Sequence, residues 1–205
     1  VGRNAIASLV QEREKNGAFA SMTDFCNRMS DGEWNKRSLE SLIKAGAFDS
    51  LGGARSQYMA VYKNILDSIT QSKKHNLAGQ LNLFDFGTED TKQAQKDDLP
   101  PISEYIQPDK LTMEKEVLGI YVSGHPLAEF ASDLRRKTSH NSMDFLPPEE
   151  QEERIQVEEG TQVVVGGMIA AQSVKFTKNH EKMCFLTLED LQGSIEIVVF
   201  PKVMG

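Results

Sequence analysis

The spacing of apolar residues changes along the chain, and this change limits the possible folds more than any other property of the sequence. In the first third, apolar side chains recur at helical spacing, and the run from Ala54 to Lys74 keeps Tyr58 and Tyr62 on one face. From Thr161 onwards the spacing falls to two, which is typical of half-buried strands. The sequence therefore predicts an α+β protein whose helices precede its sheet.

We predict four segments from these patterns. Residues 1–75 form a helical domain, 76–109 a polar linker, 110–158 a helical connector, and 159–205 the beginning of a small antiparallel barrel. The barrel strands are predicted at 163–170, 183–188 and 195–200. A closed small barrel needs about five strands, so a partial barrel is expected.

Composition excludes several classes of protein. The chain has 205 residues, of which 39% are apolar and 26% charged, and no apolar run approaches the roughly 20 residues that cross a bilayer. No leader opens it, and the first residue is Val1 rather than Met, which suggests a piece of a longer cytoplasmic protein. Cys26 and Cys184 lie far apart without a CxxC motif, so we expect reduced thiols and no zinc site.

The net charge of −7 at first argues against a nucleic-acid partner, but the acid is unevenly distributed. Residues 1–63 carry nine basic against seven acidic side chains, and residues 161–205 carry four of each. Residues 111–160 carry five basic against eleven acidic side chains. Local phosphate contacts are therefore plausible at the two ends of the chain, whereas a broad basic face is not.

A glycine turn in the helical domain is the first candidate site. Gly46 follows the helical run 35–44 and allows a tight turn whose amides could bind a backbone phosphate without reading sequence. The residues around Val1 could end an earlier hairpin of the same kind. The predicted contacts to duplex DNA are Gly2, Arg3, Asn4, Lys36, Arg37, Lys44, Gly46 and Arg55. The alternative is that Gly46 only ends a helix.

The second candidate is a short apolar peptide within the polar linker. Gln80, Leu81, Leu83 and Phe84 lie where no core is expected to absorb them. In an extended peptide the apolar side chains could enter a partner's pocket with Gln80 as a polar anchor. Alternatively the linker folds back on its own domain.

The strands offer a third candidate, a surface for single-stranded DNA. Alternation places Phe185 and Phe200 on an outer face, where aromatic rings can stack on unpaired bases. Basic side chains that could follow the backbone are Lys175, Lys178, Lys182 and Lys202. Against this, Glu189 and Glu196 share the face and would repel phosphate.

No catalytic constellation is recognisable. Acidic residues are abundant, but none has metal-ligand spacing or a strand-end setting. The four histidines are scattered, and the glycines do not form a phosphate loop. We therefore predict no cofactor for this chain.

Taken together, these motifs resemble one known family. The run 35–49 resembles the second hairpin unit of the bacterial DNA polymerase III alpha subunits, and residues 1–6 resemble the end of the first. The peptide 80–84 is similar to that family's internal sliding-clamp-binding motif. The stretch 114–127, with Gly124-His125-Pro126, and residues 183–201 are similar to the approach to its OB-fold and to the start of that fold.

The resemblance implies a helix-hairpin-helix domain, a clamp-binding linker and a partial OB-fold from the C-terminal part of a DNA-directed DNA polymerase. The implied partners are double-stranded DNA, single-stranded DNA more weakly, the sliding clamp and other replicase subunits. Magnesium is implied for the whole polymerase, whose catalytic carboxylates lie outside this chain. The order of segments differs from the related Gram-positive polymerase, in which the OB-fold comes early.

Three other interpretations stay open at this point. Hairpin units and OB-folds also occur together in repair and recombination accessory proteins. A damage-tolerance paralogue of the replicase would carry the same segments. A linking region that binds neither DNA nor clamp is the third alternative.

Overall fold

The computed structural model describes residues 2–29, 34–77, 96–145 and 157–204, with the backbone alone for 74–77. The chain divides into two compact units, Val1–Ser123 and Gly124–Gly205. Helices make up the first unit, and a three-stranded antiparallel sheet with short helices makes up the second. The predicted α+β class is therefore confirmed. No helix within the described ranges is long and apolar enough to cross a membrane.

The described residues of the first unit form five helices. They are α1 (Arg3–Asn16), α2 (Met22–Arg28), α3 (Lys36–Lys44), α4 (Arg55–Leu77) and α5 (Gln107–Leu118), and a 3-10 turn at Asp49–Leu51 precedes α4. Local signals explain where two of them begin. The Ser21 Oγ accepts a hydrogen bond from the Asp24 amide at 3.0 Å, and the Asn35 Oδ1 accepts one from the Ser38 amide at 2.9 Å. Each side chain satisfies an amide that the first helical turn leaves unpaired.

Aromatic and aliphatic side chains from α2, α3 and α4 form one core. The Phe25 ring lies near its centre and makes edge contacts with three other rings, Phe19, Trp34 and Phe48, at centroid separations of 5.0 to 5.3 Å. Such edge-to-face pairs add to the free energy gained by burial alone. The buried members of the core are Met22, Phe25, Cys26, Met29, Leu39, Leu42, Ile43, Phe48, Tyr58, Tyr62 and Ile69.

Residues 96–106 belong to the helical unit, although the sequence assigns them to a linker. The Asp97 carboxylate accepts hydrogen bonds from the Met22 and Thr23 amides at 2.7 and 2.9 Å, so it caps α2 from a distant part of the chain. The Glu104 carboxylate accepts from the Arg55 and Ser56 amides and caps α4 in the same way. Carboxylates are favoured at these two positions because helix N-termini carry partial positive charge.

The second unit contains α6 (Ala131–Lys137), β1 (Met168–Phe176), β2 (Lys182–Glu189), β3 (Ser194–Val199) and the single turn α7 (Pro201–Met204), with 3-10 turns at Ala128–Phe130 and Ser142–Phe145. Three antiparallel strands are as predicted, but the first begins at Met168 rather than at residue 163. The backbone of Val164 instead bonds outside the sheet. Its carbonyl accepts from the Ser139 amide at 2.9 Å, and its amide donates to the Ser139 Oγ at 2.9 Å.

The strands pair in the order β1-β2-β3. Leu186 lies opposite Gln172 on one side and Ile197 on the other, which fixes the register across the sheet. Cys184 is buried and shares a face with Leu186, as the alternation predicts. Phe185 and Val198 lie on the other face, opposite each other in the β2-β3 pair.

We predict that Asp97→Ala destabilises the helical unit by about 1 to 2 kcal/mol, because two amides of α2 and the Thr23 hydroxyl lose their acceptor. Urea unfolding followed by circular dichroism measures the change. Asp98→Ala is the matched control, because Asp98 lies next to it in the chain and accepts no hydrogen bond from α2. Equal stability of the two variants would show that the distant cap contributes nothing.

Candidate nucleic-acid interface

Two helix N-termini carry basic residues where helix stability disfavours them. α1 begins after Gly2 without a side-chain cap, and Arg3 lies in its first turn. α3 begins with Lys36 and Arg37. Neither first turn contains an acidic residue. A cation at this end of a helix opposes the macrodipole, but unpaired amides beside a cation are well suited to bind an anion.

The first turns of α1 and α3 border one groove. Ile6 of α1 and Arg37 of α3 both line it, and Leu118 of α5 closes the opposite side. Its volume is about 850 Å³. Ile6 and Leu118 are exposed to solvent at 39% and 45%, so part of the groove wall is apolar. We refer to this feature as the α1–α3 groove.

Most of the predicted cations in this region already have carboxylate partners. The Lys36 Nζ lies 2.7 Å from Asp67, in a pair whose side chains are both about half exposed. The Lys44 Nζ lies 3.3 Å from Glu40 and 3.1 Å from Glu116. Within the described residues, Arg3 and Arg37 make no ion pair. Of these two, Arg37 lines the groove, and Arg3 lies in the first turn of α1, three residues before Ile6, which also lines it.

The prediction that Arg55 contacts DNA is wrong, because the residue is not on the surface. Its side chain is buried, with 2% of the residue exposed. The guanidinium donates to both Asp49 carboxylate oxygens at 2.7 to 3.1 Å and to the Lys44 carbonyl at 3.2 Å. It also lies 2.9 Å from Glu114. A cation held by these partners stabilises the turn and is not exposed to phosphate.

The Gly46 and Ala47 amides of the glycine turn are already hydrogen-bonded, contrary to the prediction that they are free to bind a phosphate. The Gly46 amide donates to the Ile43 carbonyl and the Ala47 amide to the Leu42 carbonyl, both at 3.0 Å. This pair of bonds ends α3 in a Schellman motif, with Gly46 at φ +80°. The alternative interpretation, a glycine that ends a helix, therefore describes this turn. Gly46 is needed for a second reason as well, because a Cβ there would meet Asp49 Oδ2 at 2.8 Å and overlap the Arg55 guanidinium.

Glu114 on α5 completes this cluster and was missed in the sequence. It is fully buried, and burial alone would raise its pKa. Hydrogen bonds from the Ser123 and Val122 amides and from Arg55 outweigh that effect and lower the pKa to about 2. Glu114 is therefore ionised and fixes α5 against the turn. No local signal marks it, because its charged partner Arg55 lies far away along the chain.

The strand residues predicted to bind single-stranded DNA lie on or near the second unit's sheet. The Lys175 Nζ stands 4.8 Å from the centre of the Phe185 ring, so one face of that ring already holds a cation. Phe200 follows β3 and is 61% exposed. Lys178, Lys182 and Lys202 are exposed. Glu196 pairs with Thr187 on the same face as Phe185 and keeps that face from being uniformly basic.

Other predicted features are absent from the described residues or lie outside them. The peptide Gln80, Leu81, Leu83 and Phe84 lies outside the described residues. Among the residues that are described, no group of three or more His, Cys, Asp or Glu side chains could hold the magnesium that the resemblance implies for the whole polymerase.

Both cysteines are free and buried, and burial raises the pKa of the Cys26 thiol to about 12, so it is unreactive.

Comparison with known proteins identifies a DNA-binding type of motif in the helical unit. Residues 1–58 match the helix-hairpin-helix motif family. Over 98% of its length the chain is 38% identical to the DNA polymerase III subunit alpha of Mycobacterium leprae and 33% identical to that of Borreliella burgdorferi. It is 32% identical over 97% of its length to the same subunit of Neisseria meningitidis serogroup B.

The chain is therefore homologous, along almost its whole length, to segments of bacterial DNA polymerase III alpha subunits. It spans 16% to 17% of the length of these relatives, so it corresponds to one segment of the subunit. The homology and the helix-hairpin-helix match together support a DNA-binding role in replication.

We predict that Gly46→Ala destabilises the helical unit by about 2 to 3 kcal/mol, because a methyl group must displace the buried Arg55 guanidinium in addition to straining the backbone. Chemical unfolding measures the loss. Gly52→Ala isolates backbone strain, since Gly52 has φ +86° but no atom within 4 Å of the place that a methyl group would take. We expect about 1 kcal/mol for that control. If the two losses are equal, the close approach of Arg55 is irrelevant.

Proposed function

We propose that this chain is the DNA-binding and clamp-tethering region of the catalytic subunit of a bacterial replicative polymerase. It would hold primed duplex DNA by its backbone and supply no catalytic group itself. The parent chain would perform DNA-directed DNA synthesis with magnesium, together with other replicase subunits, in the cytoplasm. The proposal rests on homology along almost the whole chain and on the arrangement of α1 and α3.

The observation that carries the DNA-binding part is that α1 and α3 each begin with basic residues and each contribute a residue of their first turn to the α1–α3 groove. Arg3 and Arg37 stand beside amides that the first turns of α1 and α3 leave without intrahelical partners. Phosphate oxygens would satisfy both the amides and the charges. These contacts involve no base edge, so the binding would be independent of sequence, which suits a polymerase that moves along its template.

Lys36 could add a third contact. Its pair with Asp67 is solvent-exposed, and pairs of that kind contribute little to stability, about 0 to 1 kcal/mol. A phosphate could therefore replace Asp67 at small cost. The pair of Lys44 with Glu40 and Glu116 is less exposed, so Lys44 is the weaker candidate.

We further propose that the peptide 80–84 binds the sliding clamp and that the outer face of the sheet, with Phe185 and Phe200, contacts single-stranded DNA weakly. For the clamp, the support is the peptide's composition, with Leu83 and Phe84 as an apolar anchor pair after Gln80. For single-stranded DNA, the support is the Phe185 ring beside Lys175 and the exposed Phe200 ring that follows the sheet. An OB-fold for the complete barrel belongs to this proposal.

The duplex part is tested with the double variant Arg3→Gln, Arg37→Gln. We expect binding to a 20-base-pair duplex to weaken about tenfold at low salt, in line with two lost exposed contacts. The slope of log affinity against log salt should fall by about two, because two fewer counterions are released. Fluorescence anisotropy over a salt series measures both quantities.

Arg13→Gln, Lys15→Gln is the matched control for that experiment. It removes the same charge from the other end of α1, where both side chains are exposed. If it weakens binding as much as the first double variant, only overall charge matters and the assignment of the two helix starts fails.

The clamp part is tested by binding of the chain to a purified bacterial sliding clamp. Leu83→Ala, Phe84→Ala should weaken binding more than tenfold, because a buried apolar anchor pair carries such a peptide. Asn82→Ala, in the same peptide, is expected to change affinity less than twofold. Titration calorimetry distinguishes the variants. Unchanged binding by the anchor variant would refute clamp tethering and leave the DNA contacts unaffected.

A further inference from the structure

A polar pocket in the second unit lies apart from the predicted single-strand surface on the sheet. It has a volume of about 260 Å³ and opens between the end of α6, the segment that follows it, and the turn from β2 to β3. Side chains of different chemistry line it: Leu134, Arg135, Ser139, His140, Leu191 and Gln192. We refer to it as the Arg135 pocket.

The wall beside α6 is held by backbone hydrogen bonds. The Ser139 and His140 amides both donate to the Val164 carbonyl, at 2.9 and 3.3 Å. α6 also packs closely on Gly166, where a Cβ would lie 2.8 Å from both Leu134 Cδ2 and Thr138 Cγ2. The positions of Ser139 and His140 are therefore fixed by contacts that need no ligand.

The wall formed by the β2–β3 turn is fixed by Asp190, which is 8% exposed. Its carboxylate accepts hydrogen bonds from the Gln192 and Gly193 amides at 2.8 and 2.9 Å. It also accepts from the Ser142 amide at 2.6 Å and from the Ser142 hydroxyl at 2.7 Å. Asp190 is the acidic residue among those that line the pocket, and its carboxylate already accepts hydrogen bonds from these four groups. A pocket with walls fixed in this way loses little conformational entropy on binding.

The functional groups of the pocket suit one nucleotide. Arg135 is exposed and makes no ion pair within the described residues, whereas its neighbour Arg136 lies 2.6 Å from Asp133. A guanidinium left unpaired at a pocket is available to bind a phosphate through two parallel N–H groups. The His140 ring lines the pocket, its Nδ1 lies 2.9 Å from the Ser139 Oγ, and its centre lies 6.2 Å from the Phe145 ring, so two contacts hold it in place. Leu134 and Leu191 offer an apolar surface, and the Gln192 amide can bond to a base edge.

We propose that the Arg135 pocket binds one nucleotide of single-stranded DNA, with the phosphate on Arg135 and the base between His140 and the two leucines. The volume of about 260 Å³ is slightly below the roughly 300 Å³ at which small-molecule sites begin, so the pocket suits a single nucleotide better than a folded peptide. The inference rests on the proposed function, since it assigns a further DNA contact to the same segment. It adds a site separate from the sheet face that carries Phe185.

Binding of the 205-residue chain to fluorescein-labelled twelve-nucleotide oligodeoxythymidine tests the proposal. We expect Arg135→Gln to weaken binding about fivefold to tenfold, as the loss of one charge-assisted contact implies. Arg136→Gln, which removes the same charge one residue away, should change the affinity less than twofold. His140→Ala should also weaken binding. Thermal unfolding of each variant verifies that the second unit remains folded.

Nuclear magnetic resonance with thymidine 5′-monophosphate locates the site. We expect the amide signals of Gln192 and Gly193 to shift in the unaltered chain and not in Arg135→Gln. Equal effects of Arg135→Gln and Arg136→Gln on oligonucleotide binding would overturn the proposal. So would equal shifts of these signals by a glutamate hexapeptide, which would identify a site for acidic peptides instead.

The outcome also separates this inference from the proposed function. If the chain binds duplex DNA through Arg3 and Arg37 but Arg135→Gln leaves single-strand binding unchanged, the Arg135 pocket alone is refuted. If the chain binds neither duplex nor single-stranded DNA, both proposals fail.

Discussion

The buried guanidinium of Arg55 holds the elements of the helical unit together. Removing a cation from water is costly, and a buried ion is tolerated when its geometry and hydrogen bonds are nearly complete. Here Asp49, Glu114 and the Lys44 carbonyl supply them, from the turn after α3, from α5 and from the end of α3. One side chain thus joins three elements. The requirement for glycine at position 46 follows from it, because the guanidinium occupies the space of a Cβ.

The same principle operates at the starts of α2 and α4. The Asp97 and Glu104 carboxylates occupy helix N-termini that in a nucleic-acid complex could face phosphate. Those two helix starts are therefore satisfied by distant carboxylates, whereas α1 has no side-chain cap, α3 is capped only by the neutral Asn35, and both begin with cations. Residues 97, 104 and 114 all lie beyond the 1–58 match, so the motif draws part of its stability from the chain that follows it.

Sequence reasoning succeeded where the determining interactions are local. Asn35 before a helical run predicts the start of α3, and the alternation around Cys184 and Leu186 predicts the faces of β2. It failed for Arg55, because a basic residue close to a glycine turn has the same local pattern whether it binds phosphate or a distant carboxylate. Glu114 and Asp97 could not be identified for the same reason. Their roles depend on tertiary contacts that no spacing rule encodes, and an alignment that showed them changing together with Arg55 or α2 would have been needed.

The acidic net charge of −7 is consistent with a DNA-binding role once the cations are assigned to their partners. Arg55 and Lys44 neutralise carboxylates within the helical unit, whereas Arg3 and Arg37, in the first turns of α1 and α3, make no ion pair within the described residues. Two phosphate contacts can give only weak, salt-sensitive binding. Weak contacts become effective when a second attachment keeps the DNA nearby, since tethering raises the effective concentration. In the proposed function, two such contacts would suit a polymerase that must hold its template and still move along it, provided that another part of the assembly prevents its escape.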